Sequence, residues 1–132
     1  MTQVTAAIIK KDDLILIAKR NSKDKLANKW EFPGGKIEQG ETPEECLYRE
    51  IKEELNIEIE VGQYFGRSIY HYKHGIVVLL AYWATWKSGD IRLQVHDEYK
   101  WVTLDRLTDF DFAPADVPIV EKLLNITNSC TI

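Results

Sequence analysis

The chain has 132 residues and a mass of 15.3 kDa, the size of one domain, which we expect to span residues 1–132. With 45% hydrophobic and 29% charged residues it has the composition of a globular protein, which excludes disordered and collagen-like chains. The net charge of −4 provides no basic surplus for a phosphate backbone, so we expect no nucleic acid polymer as a partner.

The predicted elements run in the order strand, strand, loop, helix, several strands, helix. Strand patterns cover Val4–Ile9, Leu14–Ala18, Ile57–Val61, Tyr64–Tyr72, Ile76–Trp86 and Trp101–Val102. The turn residues Lys10–Asp13 join the first two strands as a hairpin, and the polar stretch Asn21–Lys29 indicates a loop. In Glu31–Gly35, proline and paired glycine indicate an irregular backbone. This order predicts a mixed α/β fold, with helices covering a central sheet.

The most strongly indicated element is a helix that begins at Thr42 or Pro43 and ends near Leu55. Thr42 offers an N-cap hydroxyl, and Pro43 suits the first helical position. Asn56 can take the left-handed conformation that commonly ends a helix. An apolar stripe recurs every four residues, at Leu47, Ile51 and Leu55. The helix is therefore predicted to be amphipathic, with Tyr48 beside the stripe.

A second helix is predicted near the end of the chain, over Val117–Leu124. Its apolar side consists of Val117, Val120, Leu123 and Leu124. Pro118 falls in the first turn, and Asp116 is a plausible N-cap residue.

The two cysteines, Cys46 and Cys130, lie far apart and lack CxxC spacing, so we expect both to be reduced. The opening residues contain no basic segment followed by a small-residue cleavage site, which favours a cytoplasmic protein. The longest apolar run, Ile76–Trp86, is shorter than the ~20 residues that a membrane-spanning helix needs. We therefore expect no membrane partner.

Three acidic residues, Glu50, Glu53 and Glu54, lie on one side of the first helix, since residues three and four apart are neighbours there. The triplet alone is compatible with a solvated acidic surface, in which Arg49 and Lys52 act as counter-charges. The alternative is a metal site, because hard cations such as Mg²⁺ bind carboxylate oxygens. A glycine-containing loop just before the helix favours the metal site.

The same region resembles a known family. Its motif residues are Gly35, Glu41, Arg49–Ile51, Glu53, Glu54 and Ile57. They match the Nudix box, G-x5-E-x7-R-E-U-x-E-E-x-G-U with U aliphatic, and Asn56 alone replaces the late glycine. Trp30–Glu38 resembles the MutT branch, and Ala113–Pro118 resembles the tail of bacterial CTP pyrophosphohydrolases. The resemblance implies the Nudix fold, an α/β/α sandwich with a central mixed sheet, and hydrolysis of nucleoside diphosphates linked to another group.

The resemblance also implies the roles of the acidic residues. It assigns Glu50, Glu53 and Glu54 as metal ligands, together with the Gly34 carbonyl. The expected ion is Mg²⁺, with Mn²⁺ as a possible substitute. The catalytic set is then Glu50, Glu53 and Arg49, with Glu50 as the candidate base, because a base must reach the attacking water. Arg49 is expected to orient the glutamates, since a guanidinium holds carboxylates in bidentate geometry. Glu41 is expected to fix the loop to the helix.

Four residues are candidates for substrate binding: Arg20, Phe32, Lys36 and Asp116. Arg20 and Lys36 match phosphate-contacting positions of the MutT branch, although basic residues near loops are commonly just solvated. Phe32, like Trp30 and Tyr72, could stack on a base or belong to the core. Asp116 matches the base-reading position, where a carboxylate would accept from N4 of cytosine and equally from N1 and N2 of guanine.

One expected feature of the family is missing. Relatives often carry a further glutamate six residues before the tryptophan that corresponds to Trp101, and this chain has Val95 there. Asp97 or Glu98 could replace it, and either could equally be a surface acid. The neighbouring His96 is interpreted as a hydrogen-bonding loop residue.

The favoured function is that of a Mg²⁺-dependent nucleoside triphosphate pyrophosphohydrolase, which releases a nucleoside monophosphate and pyrophosphate. CTP, dCTP or oxidised nucleotides such as 8-oxo-dGTP are the expected substrates, in sanitation of the nucleotide pool. One alternative is a Nudix hydrolase for ADP-ribose or a dinucleoside polyphosphate. Another is a non-catalytic module that binds a nucleotide. The sequence does not indicate the oligomeric state.

Overall fold

The structure, a computed structural model, describes residues 1–73 and 75–130, with side chains described as far as residue 126. The strands are β1 (Thr2–Lys11), β2 (Leu14–Arg20), β3 (Trp30–Glu31), β4 (Glu58–Tyr72), β5 (Gly75–Ser88) and β6 (His96–Val102). The helices are α1 (Pro43–Leu55) and α2 (Val117–Cys130), and a 3₁₀ helix covers Leu104–Asp109. Within the described ranges, neither α-helix has the length and apolarity needed to cross a membrane.

The strands form one six-stranded sheet in the order β3-β2-β1-β5-β4, and β6 pairs with β2. β1 and β5 are parallel, with Thr2 opposite Val77 and Lys10 opposite Thr85. The pairs β1–β2, β2–β3, β2–β6 and β4–β5 are antiparallel. The sheet is therefore mixed, as the sequence predicts.

Both faces of this sheet are covered, and β1 shows why. Its side chains alternate between the faces, so Ala6 and Ile8 join one core while Ala7 and Ile9 join the other. The first core includes Ile119 and Leu123 from α2. The second core includes three fully buried residues of α1, Leu47, Ile51 and Leu55. The predicted sandwich with a helix on each face is confirmed.

Helix α1 begins and ends as its sequence predicts. The Thr42 hydroxyl accepts the Glu45 N–H at 3.1 Å, and the Glu45 carboxylate accepts the Thr42 N–H at 2.9 Å. This reciprocal pair is a capping box. Asn56 ends the helix with a φ of 61°, in the left-handed region. Tyr48, predicted beside the apolar stripe, is 39% exposed.

The short strand β3 was not predicted from the sequence, and two other strands differ markedly in extent from their predicted counterparts. β4 is one strand where the sequence indicates two, because irregular pairing between Val61 and Gly66 interrupts its alternation without ending it. β6 begins at His96, five residues before the predicted start. The sequence does not indicate the first part of this strand, because His96–Lys100 is polar and lacks apolar alternation. Pairing with β2 makes it a strand.

Helix α2 is longer than predicted and uses a partly different apolar side. Ile119 is buried, whereas Val117 is 38% exposed. The backbone of Asp116 lies at the predicted start, and its carbonyl accepts the Val120 N–H at 3.0 Å. Cys46 is a buried free thiol, as predicted. The side chain of Cys130 lies outside the described residues.

The capping box yields a stability prediction. Replacing Thr42 with Ala removes the acceptor for the Glu45 N–H, so the free energy of unfolding should fall by about 1 kcal/mol. Thr42→Ser keeps the hydroxyl and should retain most of that stability. Urea unfolding of the two variants beside the parent chain measures this difference. An Ala variant as stable as the Ser variant would contradict the assigned cap.

Candidate active site

The loop before α1 is held against the edge of β1. β1 pairs with β2 beside their turn, and further along it pairs with the loop instead. The Pro33 carbonyl accepts the Ala7 N–H at 2.7 Å, and the Gly35 carbonyl accepts the Thr5 N–H at 2.8 Å. A Cβ on Gly34 would lie 2.0 Å from the Thr5 carbonyl oxygen. Close approach to β1 therefore requires this glycine.

The paired glycines do not adopt the backbone angles closed to other residues that the sequence predicts for them, and this prediction is wrong. Positive φ occurs at Gly40, Gly75 and Gly89 among the glycines, not at Gly34 or Gly35. Gly35 instead leaves room for the Glu50 side chain, because a Cβ added at this position would lie 2.4 Å from Oε2 of Glu50. The Glu50 carboxylate is thus packed directly against the loop backbone.

Arg49 gathers the carboxylates around the start of α1. Its Nε lies 2.6 Å from Oε2 of Glu41, and its Nη1 lies 2.8 Å from Oε1 of Glu50. Nη1 also contacts Oε2 of Glu53 at 3.4 Å. The hydrogen bond from Arg49 lowers the pKa of Glu41 to about 2. The guanidinium therefore connects the loop, through Glu41, to two glutamates of the acidic triplet.

Glu54 is the most perturbed member of that triplet. Its Oε2 is buried and has no hydrogen-bond partner among the described residues. Burial, followed by the negative charge of Glu50, raises the pKa of Glu54 to about 9. A carboxyl group in this setting ionises at neutral pH only beside a compensating cation, and oxygen ligands of this kind suit a hard divalent ion. The residues present therefore fit a divalent metal.

The triplet is only partly gathered. Glu50 and Glu54 interact with each other, while the Glu53 side chain is 61% exposed and paired with Arg49. Among the side chains of residues 1–73 and 75–126, no three of His, Cys, Asp or Glu are arranged so that they could hold a metal ion. The Gly34 carbonyl accepts no hydrogen bond from the described residues, while its two neighbours bond to β1.

A cavity of about 460 Å³ extends from this acidic end. Gly34, Gly35 and Glu54 line one part of it, and Phe32 and Asp116 line another. The volume falls within the ~300–1,000 Å³ of typical small-molecule sites. The loop–helix junction and the start of α2 thus share one cavity.

Asp116 connects the start of α2 to the loop. Its Oδ1 accepts the Phe32 N–H at 3.0 Å, and the residue is 3% exposed. Burial, and then the charge of Glu31, raise the pKa of Asp116 well above its usual value. Phe32 is itself 2% exposed, and its ring centroid lies 5.3 Å from that of Phe112. Phe32 therefore belongs to the core as well as to the cavity wall.

The two predicted phosphate contacts lie in different settings. Arg20 donates to Oε1 of Glu31 at 2.6 Å and to both carboxylate oxygens of Asp24, at 2.9 and 2.8 Å. His96 holds the other oxygen of Glu31, with Nε2 2.8 Å from Oε2. Lys36 is exposed beside the loop and is not among the residues lining the cavity.

Neither suggested replacement for the missing glutamate lies in the cavity wall. Asp97 accepts the Ser22 N–H at 3.1 Å, and Glu98 pairs with Lys19 at 3.4 Å. The cavity is lined instead by Val95 and His96. His96 starts a strand, and so the interpretation of it as a loop residue was wrong, although its hydrogen bonding is confirmed.

A polar network in the cavity wall was not predicted from the sequence. The connected side chains are Asp24, Arg20, Glu31 and His96. Its longest link joins residues 65 positions apart, and no local spacing predicts such a contact. The one available signal was the acidic residue Glu31 within the MutT-like stretch.

The NUDIX domain family model matches residues 1–123 of this chain. The match covers all six strands, helix α1, the first half of α2 and every residue of the candidate site. The chain belongs to the Nudix family, as a MutT-like hydrolase. Hydrolases of this family generally use divalent metal ions.

Individual relatives agree with this assignment. The chain is 35% identical over 124 residues to the CTP pyrophosphohydrolase of Escherichia coli K12, covering 94% of this chain and 92% of the relative. It is 34% identical to the 8-oxo-dGTP diphosphatase of the same organism, covering 92% and 95%. A solution structure of the E. coli ORF135 protein superimposes with a TM-score of 0.84 at 33% identity, covering 98% of this chain and 92% of that one.

The contact between Gly35 and Glu50 can be tested by metal binding. In Gly35→Ala the new methyl group displaces the Glu50 carboxylate, so affinity for Mn²⁺ should fall at least about tenfold. The free-ion signal in electron paramagnetic resonance measures that affinity. Gly62→Ala is the control, because its methyl would lie 3.3 Å from the Trp83 carbonyl on β5. Unchanged Mn²⁺ affinity in Gly35→Ala would contradict the role given to this contact.

Proposed function

We propose that residues 1–132 act as one domain, a Mg²⁺-dependent pyrophosphohydrolase that converts a nucleoside triphosphate to its monophosphate and pyrophosphate. The observation that carries this proposal is the shared cavity, in which Glu54 and the glycine loop face the same space as Phe32 and Asp116. One part offers ligands for a metal–phosphate group, and the other offers a polar reader for a base.

Glu50, Glu53 and Glu54 would hold the ion, with the Gly34 carbonyl as a further ligand. Support comes from Oε2 of Glu54, which has no partner within the described residues, and from the packing of Glu50 against Gly35. When bound, a divalent ion neutralises phosphoryl oxygens and lowers the pKa of a bound water. Mg²⁺ suits this oxygen-rich set, and Mn²⁺ should substitute for it.

The chain's own residues then divide the remaining work. Glu50 accepts the proton of the attacking water, because its carboxylate lies beside the ligand set. Arg49 positions that carboxylate through the 2.8 Å contact between Nη1 and Oε1. Lys36, exposed next to the glycine loop, is proposed as a phosphate contact. Arg20 forms ion pairs with Glu31 and Asp24, and we propose that its role is to position those two side chains.

Base recognition is assigned to Asp116, with Phe32 as an apolar wall. Because burial favours the neutral carboxylic acid, Asp116 can donate one hydrogen bond and accept another. The Watson–Crick edge of cytosine presents the complementary pair, with N3 accepting and N4 donating. We therefore propose CTP or dCTP as the preferred substrate class, as the name of one relative also suggests.

Oxidised guanine nucleotides are the second candidate. The comparison with the 8-oxo-dGTP diphosphatase of E. coli, at 34% identity, favours them almost equally. An ionised Asp116 would be an acceptor only, and would suit the two adjacent donors of guanine, N1 and N2. The state of this one carboxyl group therefore separates the two substrate classes.

The metal assignment is tested at Glu53, because its side chain is exposed and contributes little to the core. Glu53→Gln removes a charged ligand and should lower Mg²⁺-dependent turnover of CTP by about 100-fold, with unchanged unfolding. Glu44→Gln, at an exposed position in the first turn of the same helix, is the matched control. Pyrophosphate release measures both. If the two variants were equally active, Glu53 would not be a metal ligand.

Asp116→Asn tests the base assignment, since an amide keeps one donor and one acceptor. We expect KM for CTP to change by no more than about threefold, because both hydrogen bonds to the base can still form. The substrate ranking of CTP against 8-oxo-dGTP is measured for both forms. A parent chain that preferred 8-oxo-dGTP, and an amide variant that lost this preference, would contradict the assignment and show that Asp116 acts as an ionised acceptor.

A further inference from the structure

The loop 21–29 forms part of the cavity wall and is fastened at several points. Both Asp24 oxygens accept from Arg20, and the Asp24 carboxylate also accepts the backbone N–H groups of Leu26 and Lys25. A second tether is the Ser22 N–H, which donates to Asp97 of β6 at 3.1 Å. The backbone around Lys25 is thus held in place by a carboxylate that is itself clamped by Arg20.

The cavity has an excess of acidic side chains. Its acidic lining residues are Asp24, Glu31, Glu54 and Asp116. Two cationic residues line it, Arg20 and Lys25. Arg20 is neutralised by Glu31 and Asp24, whereas Lys25 is exposed and forms no ion pair with any described residue. Among the described residues, Lys25 is therefore the lining cation whose charge is available to a polyphosphate that enters this cavity.

We propose that Lys25 binds the polyphosphate of the substrate and that the Asp24–Arg20 ion pair positions it over the cavity. This rests on the proposed function, and it names the loop residue that contacts the phosphates. Lys25 is thereby a substrate-binding residue, and Asp24 is a positioning residue that acts through it. The flexible lysine side chain allows its ammonium group to contact phosphate oxygens in more than one position.

The direct test compares two lysines of the same loop. Lys25→Ala should raise KM for CTP about tenfold and leave kcat within about twofold, because one charge-assisted contact is lost. Lys25→Arg should retain most of the affinity. Lys23→Ala is the matched control, since Lys23 is exposed in the same loop but does not line the cavity. Equal KM values for Lys25→Ala and Lys23→Ala would overturn the proposal.

Binding without turnover separates this inference from the proposed function. Inorganic tripolyphosphate should bind Lys25→Ala about tenfold more weakly than it binds the parent chain, by calorimetry, while cytidine should bind both equally. Equal tripolyphosphate affinities would overturn the role of Lys25 even in an active enzyme. Weaker tripolyphosphate binding in a chain that hydrolyses no triphosphate would support Lys25 and refute the function.

The positioning role of Asp24 has its own readout. If Asp24 acts by holding Lys25, then Asp24→Ala should raise KM, and adding Lys25→Ala to it should raise KM by much less than tenfold. Two changes whose effects on KM multiply independently would contradict the positioning role.

Discussion

The candidate site depends on the backbone pairing between β1 and the loop before α1. Hydrogen bonds from Ala7 to Pro33 and from Thr5 to Gly35 fix this loop to the central strand. Gly34 permits the close approach, because a Cβ there would collide with the Thr5 carbonyl. The loop then serves as the surface against which Glu50 packs. A rigid strand thus determines where the first carboxylate of the acidic triplet lies.

The pairing of the loop with β1 brings several carboxyl groups close together. They are accommodated in two ways. Arg49 satisfies Glu41, Glu50 and Glu53 through direct contacts. Glu54 is buried, and one of its oxygens has no hydrogen-bond partner in the part of the chain that the structure describes. This arrangement favours binding of a divalent ion, because the ion would offset the repulsion between the neighbouring carboxylates of Glu50 and Glu54. The same cavity is also lined by Asp116, a buried polar residue at the start of α2.

Local signals predicted α1 fully, since its cap, its first-turn proline and its left-handed Asn56 all lie within the helix or next to it. The spacing of Gly35 and the glutamates indicated the family for the same reason. The contact of Glu31 with His96 was not predictable, because sheet pairing brings together residues distant in sequence. The early start of β6 was missed likewise, since its polar residues are defined by pairing with β2.

The most direct measurement is the set of products formed from CTP, dCTP, dGTP, 8-oxo-dGTP and ADP-ribose, with and without Mg²⁺. The account predicts a monophosphate and pyrophosphate in equal amounts, only with the metal, and most rapidly from a cytidine nucleotide. Release of inorganic phosphate and a nucleoside diphosphate would contradict it. So would the absence of turnover across all five compounds, which would leave a domain that binds nucleotides without cleaving them.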